Sequence, residues 1–109
     1  MKARDIRDLV RFGDDGPRTE ILHETEHLWS QVVCLQGAQG LGPLADDRAD
    51  GLLAVLAGEV ATQVGSARAR VKQWGSLIVP AGEALTVRNA SAEPSVVLLV
   101  LAPPPEARD

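Results

Sequence analysis

Two histidines, one cysteine and a knot of aspartates are the side chains of this sequence best suited to chemistry. The histidines fall in His23-Glu24-Thr25-Glu26-His27, a literal H-E-x-x-H. That spacing holds zinc on a helix, where residues i and i+4 share a face and the Glu acts as general base. The flanks, Thr19-Glu20-Ile21-Leu22 and Leu28-Trp29-Ser30-Gln31-Val32-Val33, read instead as strands. On one continuous strand the two rings would lie about 13 Å apart. They approach each other only if Thr25 sits at a hairpin tip. Hairpin residues are therefore the expectation for His23 and His27, with a two-histidine metal site as the alternative.

Cys34 lies in an apolar run, residues 29–36, with no basic or histidine neighbour in sequence to lower its pKa. A small buried hydrophobe is expected there. Asp46-Asp47-Arg48-Ala49-Asp50 offers the oxygen donors of a hard-cation loop. More often such a cluster is a solvated rim in which the arginine pairs with its own acids. Asp46 alone can also serve as a polar anchor for a ligand.

These groups must be positioned by a single small domain of 109 residues. Hydrophobic residues make up 45% of the chain, but aromatics are limited to Phe12, Trp29 and Trp74, so the core must be aliphatic. No row of aromatics is available for base stacking, and the net charge of −4 comes without a basic run, which excludes nucleic acid as a partner. One cysteine cannot form an internal disulfide, as suits a reducing, cytoplasmic setting. Residues 1–10 are charged and do not read as a signal peptide. The longest apolar run, residues 96–102, is far too short to span a bilayer, so no membrane association is expected. Asn89-Ala90-Ser91 matches a glycosylation acceptor that a cytoplasmic protein does not use.

Along the chain, short apolar runs alternate with turn residues. Ile6, Leu9 and Val10 are spaced for a short amphipathic helix, although the segment can equally be an arm. Runs at 19–23, 29–36, 52–56, 60–64, 77–79, 85–88 and 95–101 read as strands, and 37–43, with three glycines and a proline, as a loop. Gly65-Ser66 suits a two-residue hairpin turn. Ala67, Ala69 and Val71 alternate with Arg68, Arg70 and Lys72, predicting one buried and one basic solvated face. Residues 95–101 are apolar throughout, as expected of a strand covered on both faces. Many short strands at regular spacing predict an antiparallel sandwich or barrel.

The order of runs and turns resembles the cupin superfamily. Gly75, a short apolar strand, Pro80-Ala81-Gly82 and Asn89 follow the punctuation of that family's second motif, with one residue fewer after Gly75 and with Leu85 at the position of the family's histidine. Anchored on Gly58, the family's first motif places its glutamate at Gly51 and its two histidines at Leu44 and Asp46. The resemblance implies an all-β cupin-type jelly roll, a double-stranded β-helix barrel, over residues 19–102. Residues 1–18 are expected to form an N-terminal arm or edge segment and residues 103–109 a disordered tail, and the resemblance implies a homodimer.

In the family, the four motif positions converge inside the barrel and hold a divalent metal, which supports dioxygen chemistry or isomerisation. Leucine and glycine offer no side-chain donor, so Asp46 is the one ligand left. No metal or other cofactor is therefore expected. Leu44, Asp46, Gly51 and Leu85 instead predict an apolar interior, with room at Gly51, that either takes a small apolar molecule or is filled by neighbouring leucines and valines. A non-catalytic ligand-binding or structural module follows. The alternative is a cupin enzyme of dioxygenase or isomerase/epimerase type, rearranged around Asp46 and His23 or His27.

Overall fold

A computed structural model gives the conformation of residues 1–105. Among these the chain forms nine strands: β1 (Arg18–Glu24), β2 (Trp29–Leu35), β3 (Gly40–Leu44), β4 (Asp50–Ala57), β5 (Glu59–Val64), β6 (Ala67–Lys72), β7 (Ser76–Val79), β8 (Leu85–Asn89) and β9 (Ser95–Ala102). They make two antiparallel sheets, ordered β1-β2-β9-β4-β7 and β3-β8-β5-β6. This is the all-β jelly roll expected from the sequence.

Period-two alternation sets the interior. On β2, Val33 and Leu35 face inward; on β4, Leu53 and Val55; on β9, Val97 and Leu99; and they meet Val60 of β5 and Val87 of β8 in one aliphatic core. The central strand β9 lies between β2 and β4. Its second face is covered in part by a 3₁₀ turn, Ile6–Leu9, whose first N–H groups are capped by Asp5, which accepts from Arg7 N–H at 2.9 Å. Leu9 packs with Leu22, Val32, Cys34 and Val96 on the outer side of the five-stranded sheet. That cover explains the unbroken apolar run of β9.

Two expectations need correction. The segment read as a loop contains β3: Gly40 and Leu41 pair with Arg88 and Val87, and Leu44 pairs with Leu85 across a bulge. A Cβ at Gly40 would stand 2.8 Å from the Val87 carbonyl oxygen, so here glycine permits close strand pairing rather than a turn. In β6 the predicted buried face is buried only at Val71; Ala67 and Ala69 are exposed. β6 is an edge strand paired only with β5, so most of its length overhangs the core. Arg68, Arg70 and Lys72 are solvated as predicted. The two-residue hairpin turn at Gly65-Ser66 is present, with Val64 paired to Ala67 across it.

Past β9, Pro103, Pro104 and Pro105 continue the chain, and the rest of the segment read as a disordered tail lies outside the described residues.

Candidate functional site

The inward alternation that builds the core has a different outcome at one end of the barrel. Trp29 pairs with Leu101, Leu101 with Gly51, and Gly51 with Val79, so these four form one row across β2, β9, β4 and β7. Beneath them lie Gln31 and Leu99, a second cross-strand pair. From the facing sheet come Leu85 and its partner Leu44. Between the two sheets at this end is a mostly apolar cavity of about 360 Å³. Leu44, Asp46, Gly51 and Leu85 all line it. The middle of the barrel is filled and its mouth is hollow.

Each of the four has a distinct local role. Leu85 is buried, and Leu44, 38% exposed, stands at the rim. Asp46 builds the loop before β4: its Oδ1 accepts from the N–H groups of Arg48 (2.8 Å) and Ala49 (3.1 Å). Its carbonyl accepts from Gly82 N–H at 2.8 Å, and Asp50 Oδ1 accepts from Ala81 N–H at 3.0 Å. The aspartate cluster thus ties the loop before β4 to the turn after β7, as short acidic side chains do through local hydrogen bonds. Gly51 leaves less room than its missing side chain suggests. A Cβ there would meet Leu101 Cδ2 at 3.2 Å and Val79 Cβ at 3.3 Å, so its neighbours have closed in.

No protein-family model and no curated protein matches the sequence. Solved structures do match. Protein TT1209 from Thermus thermophilus is 28% identical over 96% of this chain and 100% of its own, with a TM-score of 0.91. An RmlC-like cupin protein from Desulfovibrio desulfuricans is 25% identical over 96% of this chain and 99% of its own, with a TM-score of 0.85. The chain has the cupin fold. A protein with a double-stranded β-helix domain from Klebsiella pneumoniae shares the fold at 19% identity and a TM-score of 0.87, over 94% of this chain and 90% of its own.

The metal that such a fold implies does not suit the residues of this cupin barrel. Of the four positions only Asp46 has a side-chain donor, and its Oδ1 already accepts two backbone N–H groups. Among the described residues, no three His, Cys, Asp or Glu side chains come together as a metal centre requires. His23, half-buried in β1, and His27, exposed in the hairpin between β1 and β2, are not among the cavity's lining residues. The hairpin loop is four residues long; Thr25 opens it, its N–H bonding the Leu28 carbonyl and its Oγ1 accepting from His27 and Leu28 N–H. Cys34 is buried on the outer face of β2, and that burial pushes its thiol pKa up.

Several lining residues were not singled out from the sequence: Trp29, Gln31, Val79, Leu99 and Leu101. Trp29 and Gln31 share an alternation phase with Val33 and Leu35, and that was the available signal. Gln31's side-chain amide has no hydrogen-bond partner among the described residues. The charged residues lining the cavity are Asp46 and Glu83; no described Lys, Arg or His lines it.

Proposed function

We propose that this cupin-fold protein is a non-catalytic binding module that takes a small, largely apolar molecule in the barrel mouth. One observation carries the reading: a cavity of about 360 Å³ sits where the fold's motif positions converge, and those positions are two leucines, a glycine and an aspartate engaged in its own loop. Concave apolar sites of about 300 Å³ and more suit small ligands.

The test is a backbone-amide NMR titration with naphthylethanol. The expected result is saturable shifts centred on Gly51, Leu85 and Leu101. Absence of shifts at these residues up to the probe's solubility limit rejects the ligand site. Metal analysis of the purified protein is the independent check, because stoichiometric iron, zinc, manganese or nickel would overturn the non-metal reading.

A further inference from the structure

The chemistry of the cavity's lining narrows the ligand class, on the premise that the barrel mouth is a ligand site. We infer that the mouth selects a small amphiphile with a cationic amine head and rejects carboxylates and phosphates.

Size sets the body. An engineered cavity of about 150 Å³ holds benzene, so by scaling, the mouth takes roughly ten to fourteen non-hydrogen atoms. Leu85, Leu99, Leu101 and Val79 give that body apolar contact on the inner side.

Charge sets the head. The two loops that frame the mouth, residues 45–50 and 80–83, carry Asp46, Asp47, Asp50 and Glu83 against one basic residue, Arg48. Of these, Asp46 and Glu83 line the cavity itself. A bound carboxylate would be partly desolvated next to two like charges, with no described basic side chain in the lining to pair it. An ammonium meets the opposite situation. It brings three donors and no acceptor. The lining includes Gln31 and Glu83, whose side chains have no hydrogen-bond partner among the described residues; the Glu83 carboxylate lies over the Gly65 turn, so it acts on a bound head as a nearby charge at the edge of the mouth. Trp29 adds an aromatic ring to the lining in the same row, a side chain that attracts cations.

The experiment uses one body and three heads: naphthylethylamine, naphthylethanol and naphthylacetate, titrated by backbone-amide NMR at neutral pH in low and high salt. The amine is expected to bind roughly tenfold tighter than the alcohol and the alcohol roughly tenfold tighter than the acetate, with both gaps shrinking in high salt. In the Asp46→Asn/Glu83→Gln double variant, Asn keeps the Oδ1 acceptor that the loop needs. There the amine's advantage over the alcohol is expected to fall to within about threefold. Equal affinities for the three, or tightest binding by the acetate, overturn the charge selection and leave the ligand site standing. No shifts at Gly51, Leu85 and Leu101 with any probe overturn both.

Discussion

The two ends of the barrel are built from the same strands under the same alternation, and they come out opposite. At the closed end, where β2 stops and β9 begins, the polar groups engage one another. Ser95 Oγ donates to Asn89 Oδ1 at 2.7 Å and accepts from Glu59 N–H at 3.2 Å. Asn89 Nδ2 donates to the Glu93 carbonyl at 3.0 Å, and Leu35 and Val60 are fully buried beside them. At the open end the Gln31 amide is without a partner among the described residues, and the row from Trp29 to Val79 has a glycine in it. A polar group that is buried and satisfied stabilises the fold, whereas a solvent-accessible one at a cavity wall with no protein partner is available to a ligand. The difference teaches where each property resides: stability at the closed end, binding at the open one.

The same substitution placed at both ends tests that division most directly, and its largest effect is expected at Gly58. This residue holds φ at +78°, and a Cβ would overlap Ser95 Oγ and stand 2.9 Å from the Pro94 carbonyl oxygen. Gly58→Val therefore combines backbone strain with overpacking and is expected to cost about 3 kcal/mol or more. Urea unfolding would show it as a lower midpoint or as loss of soluble protein. A midpoint within experimental error of the parent would remove the structural role assigned to this end.

Asn89→Ala comes next. It leaves the Ser95 hydroxyl, the Glu93 carbonyl and the Ser91 N–H without their Asn89 partner. A loss of roughly 2–3 kcal/mol is expected. The same denaturation curves check it, and naphthylethanol affinity of the folded variant should be unchanged. A weaker affinity would mean that the two ends are coupled.

How much of this division was legible in the residues differs between its parts. The strands were readable wherever an apolar run stood between turn residues, as at residues 29–36 and 95–101. β3 was missed because Gly40, Gly42 and Pro43 carry turn chemistry, while their use here depends on how near β8 passes. The exposed alanines of β6 reflect an edge position, which depends on sheet order rather than on any local signal. In the mouth, motif spacing pointed to Leu44, Asp46, Gly51 and Leu85. Trp29 and Leu101 could not be found that way, because their adjacency comes from pairing between strands at opposite ends of the chain. Asn89 read as punctuation; its role as a buried hydrogen-bond centre appears only with Ser95 beside it.

Gly51→Val is the open-end counterpart, and a smaller stability effect is expected. Of the atoms its Cβ would approach, Leu101 Cδ2 at 3.2 Å is the free end of a side chain that borders the cavity and can yield into it, whereas Val79 Cβ at 3.3 Å moves only with its own strand. Extended strand backbone accepts valine readily. Stability should fall by about 1 kcal/mol, the low end of overpacking costs, since Leu101 can relax into the cavity. Ligand affinity should fall roughly tenfold or more, because the valine methyls and the displaced side chains occupy space the probe needs. Calorimetry and the NMR titration measure the two separately. If Gly51→Val destabilised the protein as much as Gly58→Val, the contrast between the ends would fail.

The smallest expected effect lies on neither end. Cys34 is packed beneath the N-terminal 3₁₀ turn with Leu9, Leu22, Val32 and Val96, and desolvation raises its thiol pKa against a weaker opposing hydrogen bond from Arg11 N–H. Because the folded pKa is raised, the neutral thiol's contribution is complete below the unfolded value of about 8.5 and declines as pH rises through the higher folded value. Unfolding midpoints should therefore hold through neutral pH and drift down only in alkali, and Cys34→Ala should remove that part of the drift. Ellman's reagent should modify the native thiol far more slowly than the unfolded one, because the thiolate is scarce and covered. Modification of the native protein at the unfolded rate would show that residues 6–10 do not stay docked. In that case the outer face of the five-stranded sheet would be a third region, less stable than the closed end and unconnected with the mouth.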